Sequence, residues 1–332
     1  MICTKTPFRM SFFGGGTDMQ AYFEEHGGAV LSTTFDKYCY VSVRHLPHFF
    51  EYRNQLTYSR IEKVSRVEEL DHPMVRNAMK YLDMRDLCIS YDADLPARSG
   101  LGSSSSFAVG LLNAFHALKG HYASKEQLAK EAIYIERELC AESGGWQDQI
   151  AASYGGMNRI YFGADGFEVT PVIIQKERKE QLNRNLLMFF TGFSRFASEI
   201  EKEKLENIQD RTADLREMVK LVDIGEAVLT DRHSDLDEFG RLLDTTWQLK
   251  RKSGNSVSMA SLDAIYQKAL DHGAIGGKLL GAGGGGFFIF YTPEEYQASV
   301  RNALKDLMYV PFRFENSGTK ILYYVPEDYI KE

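Results

Sequence analysis

No stretch of this chain approaches the about 18 consecutive apolar residues that a membrane span needs. Its start, "MICTKTPFRMSFFGGG", lacks the apolar core of a secretory signal. The expectation is a soluble, cytoplasmic protein with no membrane partner. Cysteine is scarce and scattered. Cys3, Cys39, Cys88 and Cys140 form no C-x-x-C pair, which argues against both a zinc ribbon and a disulfide framework. His45 and His48 flank Pro47 in "HLPH" with no third ligand near them in sequence, so they read as a turn rather than a zinc site. Positive charge is also in short supply. With 39 basic against 46 acidic residues the net charge is -7. The chain therefore has no basic footprint for nucleic acid, and an anionic ligand has to be held by local groups. There is no Pro-rich linker, internal repeat or long low-complexity tract.

What is present is an ordinary globular composition, 44% hydrophobic and 26% charged, which can build a sizeable core. A length of 332 residues suggests two domains at roughly 150 residues each. "GGAVLSTTFDKYCYVSVRHL" is rich in β-branched and aromatic residues and predicts two strands, over about 29–35 and 38–44; "LCISYDADLP" predicts another. Helical spacing runs over about 104–119 and 125–140, and a short helix follows the turn-like "ESGGWQDQ". Strand-like "MNRIYFG" and "FEVTPVII" come next. The second half opens on an apolar strand, "NLLMFFTG", followed by a charged helical stretch over 195–232 and helices over 236–252 and 259–272. A glycine loop then feeds a strand in "GGKLLGAGGGGFFIFYTP", before a helix over 294–308 and a final strand pair around "FRFENSGTKILYYV". The turn "GADG" and the charged "QKERKEQ" suggest a boundary that divides the chain into 1–175 and 176–332.

Glycine clusters carry the chemistry. "LPARSGLGSSSSFAVG", residues 95–110, sets two glycines and a serine run before Phe107, Leu111, Leu112, Phe115 and Leu118 at helical spacing. A helix N-terminus has unpaired N–H groups and a positive dipole end, which favour an anion, and glycines let a phosphate approach the backbone. By itself such a run is more often a capped helix than a nucleotide site. Two other clusters fail as nucleotide motifs. "GAIGGKL", 273–279, has one residue too few for a Walker A loop and Leu279 where Ser or Thr should stand. "GAGGGG", 281–286, satisfies G-x-G-x-x-G but leads into the strand "FFIFY", not into a helix.

A third cluster lies at the start, in "PFRMSFFGGGTD". The order of a basic residue with a Gly-rich turn, then "GLGSSSS", then "KLLGAGGGGF" resembles the GHMP kinases over essentially the whole chain. That resemblance implies a two-domain α+β fold, with an N-terminal domain like ribosomal protein S5 domain 2 and a ferredoxin-like C-terminal domain. ATP would lie at their junction and Mg2+ would accompany it. Gly100, Leu101, Gly102, Ser103, Ser104, Ser105 and Ser106 match the family's phosphate-binding loop, with Ser104 reaching the magnesium. A carboxylate should share that ion. Glu136 and Glu138 both flank the helical stripe of "IERELCAESGGWQDQ", and periodicity does not choose between them. The galactokinase-like spacing of twelve residues before the catalytic aspartate selects Glu136.

By the same resemblance Asp148 in "GGWQDQ" is the general base that accepts the proton of the attacking sugar hydroxyl. Arg9 matches the basic position beside it and would offset charge on the phosphoryl group. Asp18 matches an aspartate that hydrogen-bonds sugar hydroxyls. Gly15 and Gly16, before Thr17, replace the Glu-His of galactokinases, which removes a polar contact and opens space. Gly281, Gly283 and Gly284 of the late glycine cluster complete the implied substrate-side set. "RMSFFGGGTD" continued by "EEHGGAVLSTTFDKYCYV" is most similar to the bacterial D-glycero-D-manno-heptose 7-phosphate kinases. That similarity implies phosphorylation of the anomeric oxygen to a 1,7-bisphosphate, for GDP-heptose and surface polysaccharide synthesis. The partners are then ATP and a sugar phosphate, whose distal phosphate Arg195 could read at a helix start, with Lys250 and Lys252 as weaker candidates. A kinase for fucose, mannose or galactose, or a non-catalytic sensor on the same fold, are the alternatives.

Overall fold

In the computed structural model, which describes residues 1–97, 99–192, 211–252, 260–281 and 285–326, the long first strand β1 (Ile2–Phe13) pairs antiparallel with β2 (Gly28–His45). β2 is one continuous strand rather than the two its sequence suggests. Phe8 pairs with Phe35 and Pro7 with Tyr38, so Asp36 and Lys37 form a bulge instead of a turn. A bulge is also where a strand can accommodate Pro7, which has no N–H to give to the ladder.

Beyond β2 the sheet continues through β5 (Leu87–Ala93), β3 (Asn54–Thr57) and β4 (Ile61–Val64). β6 (Asn158–Gly163) pairs with the first residues of β2 and with β7 (Gly166–Pro171). Helix α3 (Ser103–Leu118) lies across β1 and β2 and is apolar on nearly every side, so it is buried almost throughout. It approaches closely at Gly110, whose carbonyl accepts a hydrogen bond from Thr4 Oγ1 at 2.9 Å. The remaining helices of this half are α1 (Gln20–His26), α2 (Pro73–Tyr81), α4 (Lys125–Tyr134) and α5 (Gln147–Tyr154).

A second, four-stranded antiparallel sheet runs β11–β8–β10–β9, from Met308–Tyr309, Leu186–Phe190, Phe287–Tyr291 and Gly276–Leu279. "FFIFY" is apolar at every position because β10 is buried on both faces. Phe288 and Phe290 join a core with Trp247 and Tyr266, while Phe287, Ile289 and Tyr291 join the larger core with Phe12, Phe13 and Phe239. Helices α6 (Lys176–Asn185), α7 (Thr212–Thr230), α8 (Asp237–Lys252), α9 (Ala260–Asp271) and α10 (Gln297–Ala303) accompany this sheet in sequence. The last strands behave differently from their place in the chain. β12 (Phe314–Glu315) pairs with β2 and β13 (Lys320–Tyr324) with β1, so residues after a boundary at 175 return to the first sheet.

Candidate active site

The loop before α3 places its glycines where no other residue fits easily. Gly100 and Gly102 are left-handed, with φ of 80° and 74°. A Cβ on Gly281 would lie 2.3 Å from the Gly100 Cα, so the late glycine segment crosses the loop before α3 backbone to backbone. The serine run then divides its work. Ser104 Oγ donates to Glu136 Oε1 at 3.1 Å and Ser105 Oγ to Glu136 Oε2 at 2.8 Å, and Gln149 Nε2 also donates to that carboxylate. Ser106 instead ties the helix to β1 through the Pro7 carbonyl, at 3.0 Å. Ser103 and Leu101 are buried, and the Leu101 carbonyl accepts the Arg9 N–H at 3.2 Å.

Glu136 is 1% exposed and is held by neutral donors, with no Lys or Arg paired to it among the described residues. A buried carboxylate beside an exposed serine hydroxyl is an oxygen donor set that suits a hard divalent cation such as magnesium. Glu138, two residues on, points to solvent. The difference comes from a π-helical turn over Ile135–Leu139, closed by the Cys140 N–H on the Ile135 carbonyl at 2.8 Å. Such turns insert a residue into the helical repeat and re-aim side chains.

On the other side of the loop, Arg9 grips Asp148 with both arms of its fork: Nε to Oδ1 at 2.7 Å and Nη2 to Oδ2 at 2.8 Å. Its Nη1 donates to the Gly100 carbonyl at 2.7 Å, so one guanidinium joins β1, the first turn of α5 and the loop before α3. The Gly102 Cα packs against this pair, and a Cβ there would sit 3.2 Å from Asp148 Oδ2.

Asp148 faces a cleft shared with Asp18, Gly15 and Gly16. Asp18 is 3% exposed and accepts the N–H groups of Gly16 at 3.0 Å and Gln147 at 3.2 Å. Burial, and next the charge of Asp148, push its carboxyl above the usual range. Thr17 does not reach the cleft. Its hydroxyl donates to the Gly14 and Ala29 carbonyls, which shapes the turn that presents Asp18.

Gly281 lines the cleft, whereas Gly283, Gly284 and Arg195 lie outside the described residues. Lys252 is exposed, away from the cleft lining. Lys250 is buried and donates to the carbonyls of Leu279, at 2.8 Å, and Gly281. Sequence reasoning missed several lining residues, among them the polar Gln147 and the cationic Arg137, Arg211 and Lys278. Lys278, from the segment rejected as a Walker A loop, donates to the Ser11 and Phe12 carbonyls at 2.8 Å and so docks β9 on the end of β1. The lining thus carries five cationic side chains, Arg9, Arg137, Arg211, Lys250 and Lys278, against two carboxylates, in a chain of net charge -7.

The geometry has counterparts in known proteins. Residues 70–156 match the GHMP kinases N terminal domain and 226–310 the GHMP kinases C terminal model, together about half of the chain. The D-glycero-alpha-D-manno-heptose 7-phosphate kinase of Campylobacter jejuni is 29% identical over 96% of this chain and 98% of its own. Among solved structures, a D-glycero-D-manno-heptose 1-phosphate kinase from Bacteriodes thetaiotaomicron superposes with a TM-score of 0.78 at 24% identity, over 97% of this chain and 99% of that one. Lactococcus lactis galactokinase complexed with galactose gives 0.74 at 16% identity, over 97% and 95%. Both family models, in the expected order and at full-length likeness to such enzymes, make this α+β chain a member of the GHMP kinases, an ATP-dependent phosphotransferase with an alcohol group as acceptor.

Proposed function

We propose that the acceptor is a heptose 7-phosphate and that the enzyme phosphorylates its anomeric hydroxyl, giving the 1,7-bisphosphate for GDP-heptose and surface polysaccharide synthesis. The observation that carries this reading is the excess of cationic side chains lining the cleft that Asp18 and Asp148 share, in a chain that is acidic overall. A neutral hexose needs no such field, whereas a sugar phosphate does. The Campylobacter jejuni relative supports the choice of heptose. The two glycines before Thr17 support a pocket larger than a hexose requires: a Cβ added to Gly15 would have nothing within 4 Å.

In the reaction, Asp18 accepts hydrogen bonds from sugar hydroxyls and orients the ring. Asp148 accepts the proton of the anomeric hydroxyl as its oxygen bonds to the γ-phosphorus of ATP and the bond from that phosphorus to ADP breaks. Arg9 holds Asp148 in place and offsets negative charge on the transferring group. The N–H groups at the start of α3 cradle phosphates. Ser104 and Glu136 would hold Mg2+, which when bound supplies charge neutralisation at the phosphates. Residues 1–175 would then supply the ATP, metal and base groups, and the remainder the glycine-rich segment and part of the acceptor pocket.

A coupled ADP-release assay against D-glycero-D-manno-heptose 7-phosphate, mannose, fucose and galactose tests the proposal. The highest kcat/KM is expected for the heptose phosphate, with a new anomeric phosphate in the product. A higher value for any unphosphorylated sugar overturns the assignment, and no ADP release with any acceptor favours a sensor.

A further inference from the structure

Two guanidinium groups lining the cleft, those of Arg137 and Arg211, each carry a buried Nε with no hydrogen-bond partner. Arg211 stands at the start of α7, the helix that packs over the glycine turn; a Cβ on Gly16 would lie 3.4 Å from Leu215 Cδ2. Its Nε is buried without a hydrogen-bond partner. Burial holds this guanidinium below its ordinary value, with only Asp214, on the same helix, acting the other way. Arg137 enters from the π-helical turn. Its Nη1 donates to the Glu142 and Ser143 carbonyls, at 3.1 and 3.2 Å, and its Nη2 to Gly145 at 2.9 Å, yet its Nε too is buried and unpartnered. Neither carboxylate of the cleft offsets these charges: Asp148 is taken by Arg9, and Asp18 accepts backbone N–H groups.

A buried guanidinium N–H with no acceptor is costly unless a ligand supplies one. Arg211, with no hydrogen bond among the described residues, and the unpartnered Nε of Arg137 line one cleft and fit a phosphomonoester dianion, whose oxygens accept several N–H bonds at once. None of residues 100–106, the proposed phosphate loop for the nucleotide, lines this cleft, so the pair is assigned to the acceptor. We propose that Arg211, assisted by Arg137, binds the phosphate that the acceptor already carries and sets the preference for a phosphorylated over an unphosphorylated sugar. The inference rests on the reading of the acceptor as a sugar phosphate. It places the specificity contact at residues that no motif of the sequence marks.

The test compares wild type, Arg211→Gln and Arg211→Lys on heptose 7-phosphate and on mannose, with ATP varied separately. In Arg211→Gln the KM for heptose 7-phosphate should rise about ten- to a hundred-fold, and the ratio of the two efficiencies should fall by a similar factor. The KM for ATP should show no comparable rise. Arg211→Lys, which keeps the charge but loses the fork, should fall between the two. Because Arg211 makes no hydrogen bond within the described residues, the glutamine variant should melt no lower than wild type.

An unchanged preference, or equal losses on both sugars with a lowered melting temperature, overturns the proposal. Failure of the acceptor assignment reads differently. A wild-type enzyme that prefers unphosphorylated sugars refutes that assignment, and Arg211 is then judged with inorganic phosphate in the absence of nucleotide. A dissociation constant about ten-fold weaker in Arg211→Gln sustains a phosphate site, and an equal one removes it.

Discussion

Replacing Asp148 by asparagine keeps the shape of the side chain and removes its charge and its capacity as a base, and the Arg9 fork sets what else is lost. In the native pair each carboxylate oxygen accepts one N–H, at 2.7 and 2.8 Å. Asparagine offers one oxygen, and its amide group turns a donor toward the second arm of Arg9. One charge-assisted hydrogen bond is lost, worth about 1.5–3 kcal/mol. The cost stays below the roughly 3–5 kcal/mol of breaking a fully buried pair, because the Asp148 side chain is 23% exposed and Arg9 keeps the Gly100 carbonyl. Melting should fall by several degrees. Turnover should fall about 10²- to 10⁴-fold, the usual loss when a general base is removed, while ATP binding persists because the phosphate loop is intact. Thermal melts, nucleotide titration and coupled ADP release measure the three effects. Wild-type turnover in Asp148→Asn would refute the base assignment; parallel loss of turnover and ATP affinity would make the pair a structural clamp only.

Glu136→Gln and Ser104→Ala should each raise the magnesium concentration needed for half-maximal rate, and unchanged titrations in both would sink the proposed ligands. For Asp18 the pH dependence has a definite sign. Its folded carboxyl lies above the ordinary value of 3.8, so the stability it contributes is present below that value and is lost as the pH rises through the higher folded one. Asp18→Asn should therefore flatten that slope and melt higher than wild type near neutrality while weakening acceptor binding; an unaltered melting profile across the acid range contradicts this. Gly281→Ala should raise the KM for ATP and lower the melting temperature, since its Cβ meets the Gly100 backbone at 2.3 Å, whereas Gly15→Ala, with open space at its Cβ, should leave the melting temperature unchanged. Similar melting temperatures for both alanine variants would show that the glycine crossing is not tightly packed.

Several features were readable in sequence because they are local. The helical period after "GLGSSSS" and the positive end it creates depend on residues a turn apart, and α3 runs from Ser103 to Leu118 close to where that period lies. "FFIFY" reads as a strand because an apolar run of that length, fed by glycine, has few other uses. Other elements escaped. α2 carries Met74, Val75, Ala78 and Met79 on one face, a legible helical pattern that went unread. The segment of α6 reads in sequence as a charged boundary, since a helix that buries only Leu182 and Asn185 of its ten residues needs no apolar stripe.

Within the cleft the division follows sequence distance. The chain by itself determined the three glycine segments, the family they resemble, and the candidates Arg9, Asp18, Ser104 and Asp148, since residue type and spacing survive without coordinates. Periodicity could not separate Glu136 from Glu138, because the π-helical turn breaks the 3.6-residue repeat on which such arguments depend; family spacing selected Glu136, and the tertiary structure buries it while Glu138 is exposed. Only packing closed the sequence separation of 139 from Arg9 to Asp148 into one ion pair and returned β13 to β1. It also brought Arg211, from a helix start that resembles no motif, and Lys278, from the strand before the late glycine cluster, to the same cleft. Long-range contacts of this kind are set by which apolar faces bury against one another, and a lone basic residue in a sequence carries no mark of the cavity it will line.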